Sequence, residues 1–144
     1  MIFGIRLLLP LAALAASVSF AAAQDETALD CGASTAQPDL NDCAYRAYEA
    51  EDAALNAAYK KAMARAKALD TENTDPPLYA DPIGAADALK NAQRAWIGYR
   101  DGHCVLAGFQ ARGGQAEPML VSGCLADLTR KRTDELKEFL ETDY

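Results

Sequence analysis

Apolar residues recur along most of this chain at the spacing of an α-helix, and three segments carry the pattern. The first covers residues 38–69 and is rich in alanine, the best helix former. The second covers about residues 83–109, and the third starts near residue 118 and keeps an apolar stripe to residue 140. One face of the second carries Gln93, Trp96, Ile97, Arg100 and Cys104. No strand-like alternation is long enough to build a sheet. The pattern therefore predicts an all-α protein with a long first helix.

The connections between these segments contain helix-breaking residues. Residues 70–82 are acidic and include three prolines, which cannot continue a helix. Asp81 and Pro82 resemble an N-cap followed by the first residue of the second helix, and Gly113 and Gly114 predict its end. Because helices joined by short loops pack antiparallel to their neighbours, we expect a small antiparallel three-helix bundle. The segment 70–82 is either a variable connector or a functional loop.

The N-terminal residues have the composition of an export signal. Arg6 precedes an apolar run at residues 7–20, and three alanines at 21–23 form a cleavage site. The alternative is an uncleaved anchor, although the run is short for a membrane span. We therefore predict a cleaved signal peptide at residues 1–23, an arm at 24–37 and a helical domain at 38–144. No cysteine directly follows the apolar run, so a lipid anchor is not expected.

The chain is acidic, with a formal net charge of −7. Nucleic acid and anionic lipid attract basic proteins, so we expect no nucleic-acid partner and no stable membrane insertion after signal cleavage. An acidic surface favours cationic partners and speeds their encounter.

Four cysteines lie beyond the predicted signal peptide, which indicates two disulfides in an oxidising compartment. A zinc site is the competing interpretation, but there is no C-x-x-C spacing and His103 is the only histidine. The predicted topology places Cys43, Cys104 and Cys124 at one end of the bundle, and Cys31 on the arm can reach that end. All three pairings are therefore permitted. We favour Cys31–Cys104 with Cys43–Cys124, which would tie the arm and first helix to the other two helices.

Polar residues interrupt the apolar stripes of all three helices. They are Asp52, Asn56 and Tyr59 on the first helix, Gln93, Trp96, Arg100 and Asp101 on the second, and Arg132 on the third. We expect Gln93 and Arg100 to pair with Asp52 and Asn56 of the first helix. One interpretation is a structural network that fixes helix register, and the other is a polar cleft that binds a ligand. Burial favours the first, and an open groove beside Trp96 or Arg100 favours the second.

These motifs together resemble the lysozyme inhibitor LprI N-terminal domain family. The residues that carry the resemblance are DAALNAAY at 52–59, AQRAWIGYRDGHC at 92–104, the following Gly-Gly loop and LTRKR at 128–132. The resemblance covers the chain from Cys31 to about Leu140. It implies an exported, helical, disulfide-containing domain and, for at least one member of the family, inhibition of lysozyme.

The candidate functional residues do not form an enzyme site. No nucleophile, base and orienting group can be combined into a catalytic set, so we expect no enzyme activity and no cofactor. We favour a periplasmic or secreted binding protein that inhibits lysozyme, a cationic enzyme, by acidic surface complementarity. The alternative is a structural or stress-response module of the bacterial envelope that binds another protein or a small ligand without inhibiting lysozyme.

Overall fold

A computed structural model describes residues 29–76, 78 and 83–142 of the chain. Three helices make up the fold: α1 (Gln37–Glu72), α2 (Ala85–Gly108) and α3 (Glu117–Glu141), with a 3-10 turn (Phe109–Ala111) directly after α2. The described residues contain no strand, so the prediction of an all-α fold is confirmed. The predicted signal peptide at residues 1–23 and the predicted cap at residues 81 and 82 lie outside the described residues.

The helices form an antiparallel bundle in which α2 runs opposite to both α1 and α3. The most extensive contact joins α1 to α3. Its centre is a cluster of Leu55, Ala58 and Ala62 from α1 with Leu136 from α3. Alanine side chains let the two helix backbones approach closely, but they bury little apolar area. The burial of apolar area therefore contributes little to the stability of the fold, and polar contacts and disulfides contribute a larger share than in a bundle with a leucine-rich core.

The start of α2 is capped by a residue of α1. The helix begins at Ala85 rather than near Ile83, and its N-cap residue, Gly84, has no side chain. Instead, the Asp70 carboxylate accepts hydrogen bonds from the backbone N–H groups of Ala85 and Ala86. A Cβ atom on Gly84 would lie 2.9 Å from Asp70 Oδ1, so glycine makes room for this carboxylate. Asp70 thus supplies the capping oxygens that the sequence analysis assigned to Asp81.

The connection from α2 to α3 is tight, as the two glycines predict. Gly113 has a φ of +76°, which side chains rarely tolerate. Its backbone N–H donates to Glu117 at 2.7 Å, and Arg112 donates to the other oxygen of the same carboxylate at 2.8 Å. These bonds, the backbone bond foremost, lower the pKa of Glu117 below its usual value of 4.5. A carboxylate at the first position of α3 also suits the positive end of the helix dipole.

The prediction of two disulfides is confirmed, but the pairing that we favoured is wrong. The bonds join Cys31 to Cys43 and Cys104 to Cys124. The arm turns at Asp30, whose side chain and carbonyl accept backbone N–H bonds, and folds back onto the start of its own helix. The tight connection after α2 brings Cys104 opposite Cys124. Each cysteine therefore pairs with the cysteine that is nearest to it along the chain.

Both disulfides close short loops, with sequence separations of 12 and 20 residues. Neither bond links α1 to another helix, so α1 is held in the bundle by non-covalent contacts alone. At its N-terminal end, Asn41 donates to the carbonyl of Gln115 at 3.0 Å. Further along, the alanine-rich contact with α3 and the polar contacts of Asp52 hold it in place.

The buried stripe of α2 differs in one position from the predicted stripe. Gln93, Arg100 and Cys104 are buried, and Trp96 packs partly buried against the core. Ile97, which we expected on the same face, is 40% exposed. The buried face of α2 is centred between Gln93 and Arg100. In this rotation of the helix, Ile97 faces solvent.

Candidate functional site

Arg100 lies at the centre of a polar cluster where the three helices meet. Its guanidinium donates to Asp52 of α1 at 3.3 Å, to Asp101 of its own helix at 2.9 Å and to the hydroxyl of Thr129 of α3 at 3.4 Å. The Arg100 side chain is only 8% exposed, whereas those of Asp52 and Asp101 are 38% and 55% exposed. One buried cation is therefore balanced by two carboxylates that keep one edge in water.

Two aromatic rings complete the surroundings of Arg100. The guanidinium carbon lies 5.2 Å from the Trp96 ring centroid and 5.5 Å from that of Tyr48, within the range of cation–π contacts. Burial by itself would lower the pKa of Arg100, but the hydrogen bonds that its guanidinium donates to Asp101 and Asp52 outweigh this effect and raise the pKa. Arg100 is consequently charged at every accessible pH.

Gln93 contacts α3 rather than α1. Its carbonyl oxygen accepts from Arg132 Nε at 3.1 Å, and Arg132 also donates to Glu135 at 2.7 Å. Asn56, the residue expected opposite Gln93, instead donates to Asp52 at 2.9 Å within α1. The polar residues therefore form two groups, one around Arg100 and one around Arg132.

The remaining aromatic and titratable candidates lie around these groups. Tyr59 is partly buried and packs against the core cluster. His103 is exposed, and its ring centroid lies 5.4 Å from that of Tyr99.

Burial distinguishes the roles of the residues around Arg100. Arg100 and Thr129 are buried, so their hydrogen bonds fix the relative position of the three helices. The exposed edges of Asp52 and Asp101 remain available to a binding partner. The cluster can thus hold the carboxylates of Asp52 and Asp101 in a fixed orientation on the surface. The guanidinium of Arg100, which positions them, is buried below.

An acidic surface extends from these carboxylates along the N-terminal half of α1. Residues 30–52 contain six acidic side chains and one basic one, Arg46. Asp42, Glu49 and Asp52 are spaced by seven and three residues, which places them on one helix face. Together with Asp101 they form what we call the acidic face. Arg46 pairs with Asp42 at 2.7 Å and leaves the face negative overall.

An aromatic side chain lies within the acidic face. Tyr45 is 50% exposed, and its ring centroid is 6.3 Å from that of Tyr48. A hydrogen bond to Glu49 raises the pKa of Tyr45 above its usual value of 10.0. Tyrosine is one of the residue types that are enriched at protein–protein interfaces.

A separate apolar groove lies between the N-terminal half of α2 and the C-terminal half of α3. Its volume is about 400 Å³. The lining residues are Ala85, Ala88, Leu89, Ala92, Arg132, Glu135, Leu136 and Phe139. The groove is mostly apolar, with Arg132 and Glu135 as its charged members. It lies toward the opposite end of α2 from Cys104.

Sequence reasoning singled out Thr129 as a polar residue of α3 but missed the contribution of Thr133. Thr129 and Thr133 are among the largest fully buried side chains, and Thr133 donates to the carbonyl of Thr129 at 2.9 Å. The capping role of Asp70 was also missed. The available signal for the buried threonine was its place within the otherwise apolar stripe of α3. No local pattern predicts the Asp70 cap, because the capping residue lies 15 residues before the start of α2.

The part of the chain that the structure describes holds neither a metal-binding cluster nor a membrane-spanning helix. Among residues 29–76, 78 and 83–142, no three His, Cys, Asp or Glu side chains are grouped so that they could hold a metal ion. None of the helices in these ranges is both long and apolar enough to cross a membrane.

These features define a class: a small helical domain with two local disulfides and a buried arginine that orients surface carboxylates. The model of one family, described as lysozyme inhibitor LprI, matches residues 30–136. The chain therefore belongs to the LprI lysozyme inhibitor family, as the resemblance of its motifs indicated. The matched region covers all three helices except the last residues of α3.

A relative with a similar sequence occurs in Rhizobium meliloti (strain 1021). It is an uncharacterized protein that is 59% identical over 113 residues, which cover 78% of this chain and 80% of the relative. No solved structure matches the chain.

Proposed function

We propose that this protein is an exported inhibitor that binds lysozyme through the acidic face. Its membership in the LprI family supports lysozyme as the partner. Two disulfides suit an oxidising compartment outside the cytoplasm. Residues 1–23 are proposed to direct export and to be cleaved.

The distribution of charge is the observation that carries the proposal. Acidic side chains outnumber basic ones six to one between residues 30 and 52, and Asp101 adds to the same end of the bundle. Charge complementarity between this face and a cationic enzyme would raise the rate of encounter and fix the orientation of the complex. The bound inhibitor would then obstruct access to the cleft that holds the catalytic carboxylates of lysozyme.

The roles within the acidic face follow from burial. Asp52 and Asp101 would contact the enzyme from fixed positions, because Arg100 holds both of them. Asp42 and Glu49 would add longer-range attraction, and Tyr45 would supply apolar contact area between them. We assign Arg100 itself a positioning role, since its side chain is 8% exposed.

Charge reversal tests this assignment. The variant Asp42→Lys/Glu49→Lys replaces two acids of the acidic face, and the matched control Glu138→Lys/Glu141→Lys makes the same change at the exposed C-terminal end of α3. Each exposed charge pair contributes about 0.2–1 kcal/mol, and reversal replaces attraction with repulsion, so the first variant should bind lysozyme roughly tenfold more weakly. The control should bind within about twofold of the wild type. Equal loss in both variants would refute a localised acidic contact.

A second candidate function rests on the apolar groove between α2 and α3. Its volume of about 400 Å³ falls within the range of small-ligand sites, and Arg132 and Glu135 could orient a polar group at its edge. This geometry supports an envelope module that binds a small, mainly apolar ligand. Ala88→Phe would fill the groove, and a ligand that stabilises the wild type but not this variant would support the candidate.

A further inference from the structure

We propose that the groove between α2 and α3 binds a single-chain amphiphile with an anionic head group, and that Arg132 binds this head group. This assignment rests on the second candidate function, in which the groove takes a small apolar ligand, and it adds the chemical class and the orientation of that ligand. Arg132 and its hydrogen-bond partner Gln93 interrupt the apolar stripes of their helices, yet the proposed lysozyme contact uses neither of them.

The groove is an apolar slot with a cation at one end. Along α3 it extends from Arg132 to Phe139, and along the antiparallel α2 it extends from Ala92 back to Ala85. Seven residues of helix correspond to a length of about 10 Å. Leu136, between the two ends, is buried and belongs to the core cluster. A slot of this length with an apolar lining fits an alkyl chain of medium length.

The guanidinium of Arg132 is held in place but keeps donors for a ligand. Its Nε donates to the buried Gln93 at 3.1 Å, and its Nη1 donates to Glu135 at 2.7 Å. The third nitrogen, Nη2, donates to no residue in the part of the chain that the structure describes. The Arg132 side chain is 15% exposed. A cation that is already fixed loses little freedom on binding, and its planar fork matches the oxygens of a carboxylate or a phosphate.

Glu135 occupies the position that the head group of the ligand would take. It lies three residues after Arg132 on the same helix, and its side chain is 59% exposed. Ion pairs with one partner in water contribute little to stability, because water solvates that partner when the pair separates. The Glu135 carboxylate can therefore turn into solvent while an anionic head group replaces it beside Arg132.

The opposite end of the groove disfavours an anion. At that end the Asp70 carboxylate accepts hydrogen bonds from the backbone N–H groups of Ala85 and Ala86. These groups form the start of α2, which would attract anions if it were uncapped. The head group is therefore directed to Arg132, and the alkyl chain extends from there toward Phe139.

Isothermal titration calorimetry tests this assignment on the disulfide-intact protein, produced by export with its own N-terminal segment. The probes are octanoate, decanoate, decyl phosphate and the uncharged decanol, each below the concentration at which it forms micelles. Decanoate should bind roughly fifteenfold more tightly than octanoate, since each buried methylene contributes about fourfold. Decanoate or decyl phosphate should bind about tenfold more tightly than decanol, and the tighter of the two identifies the head group.

Matched variants separate recognition of the head group from a loss of folding. Arg132→Gln should weaken binding of the preferred anionic probe about tenfold. Arg130→Gln, the same change at an exposed arginine of α3, should leave binding within about twofold of the wild type. Glu135→Gln should strengthen binding about threefold, because it removes the competing carboxylate, and a misfolded variant cannot show such a gain. Glu138→Gln, at an exposed acid of the same helix, is its control and should bind like the wild type.

The outcomes separate this assignment from the functions proposed for the protein. Equal affinities for decanol and both anionic probes would overturn the role of Arg132 while leaving the groove as an apolar site. No binding of any probe would exclude the groove site as well. Unchanged binding in Arg132→Gln and Glu135→Gln would place the anion elsewhere and overturn the assignment. Inhibition of lysozyme is measured separately and stands or falls independently of these results.

Discussion

At the scale of single residues, Arg100 connects the fold to the proposed site. It contacts a carboxylate of α1, a carboxylate of α2 and a hydroxyl of α3. The presence of an arginine and an aspartate in the helical stripes was sufficient to predict the Arg100–Asp52 contact. The contribution of Thr129 and the separate pairing of Gln93 with Arg132 depend on how α3 is rotated, which the stripe pattern does not determine.

Replacement of Arg100 by Met should destabilise the domain. The variant keeps most of the apolar stem but removes the hydrogen bonds to Asp52, Asp101 and Thr129. Because both carboxylates retain contact with water, the loss should be about 1–3 kcal/mol rather than the larger cost of a fully buried unpaired charge. Asp101→Asn should cost less, since Asp101 is more than half exposed. Urea unfolding measures the free energy of unfolding of both variants. A larger loss in Asp101→Asn than in Arg100→Met would contradict the network.

At the scale of secondary-structure elements, the helix ends depend on side chains from outside each helix. Asp70 caps α2, although it belongs to α1. Glu117 binds the N–H of Gly113 before α3. Proline and glycine positions predicted approximately where the helices end, because these residues act through their own backbone. The capping partners required the three-dimensional path of the chain.

Asp70→Ala should lower the free energy of unfolding by about 1 kcal/mol, the usual cost of removing an N-cap side chain. Asp70→Asn is the matched control, because asparagine also accepts backbone hydrogen bonds and caps helices well. In thermal or urea unfolding, Asp70→Asn should therefore be nearly as stable as the wild type. An alanine variant as stable as the wild type would show that the Asp70 cap contributes nothing in solution.

Glu117 should make stability depend on acid pH. Its pKa is lower in the folded state than its usual value of 4.5, so its contribution is fully present above about that pH. The contribution is lost as pH falls through the lower folded-state pKa. Urea unfolding of the wild type and Glu117→Gln should accordingly differ at neutral pH and converge in strong acid. A difference that persists unchanged in strong acid would exclude the charged carboxylate as its source.

The two disulfides each join segments that are neighbours along the chain, and neither spans the whole bundle. Cys31–Cys43 fastens the arm to α1, and Cys104–Cys124 fastens α2 to α3. The even number of cysteines was enough to predict two bonds. Their pairing was mispredicted because the topology places three cysteines at the same end, and only the turn of the arm at Asp30 distinguishes the alternatives.

Removal of the second disulfide should cost more than removal of the first. Cys104→Ala/Cys124→Ala opens a loop of 20 residues between two helices, and about 3 kcal/mol is expected from chain entropy alone. Cys104 is fully buried, so a cavity adds to this loss. Cys31→Ala/Cys43→Ala releases only the arm and should cost less. Urea unfolding of the two double variants measures both losses of stability. A larger loss in Cys31→Ala/Cys43→Ala would contradict the expectation that the bond between α2 and α3 contributes more.

At the scale of the whole molecule, the hydrophobic pattern predicted the number, order and class of the elements. These features follow from local periodicity, which any helical segment displays. The exposure of Ile97 could not be predicted in the same way, because it depends on the rotation of α2 against two neighbours. The acidic face likewise combines residues of α1 and α2 that are separated by about a third of the chain, and only folding brings Asp101 beside Asp52.

We propose that the acidic face of this protein binds and inhibits lysozyme. The most direct test is the hydrolysis of a peptidoglycan substrate by lysozyme in the presence of the disulfide-intact protein, at ionic strengths from about 0.02 M to about 0.5 M. Salt screens exposed charges, so inhibition should be strong at the low end and weaken steadily as salt rises. Unchanged lysozyme activity at the lowest ionic strength, with this protein in excess, would contradict the proposed inhibition.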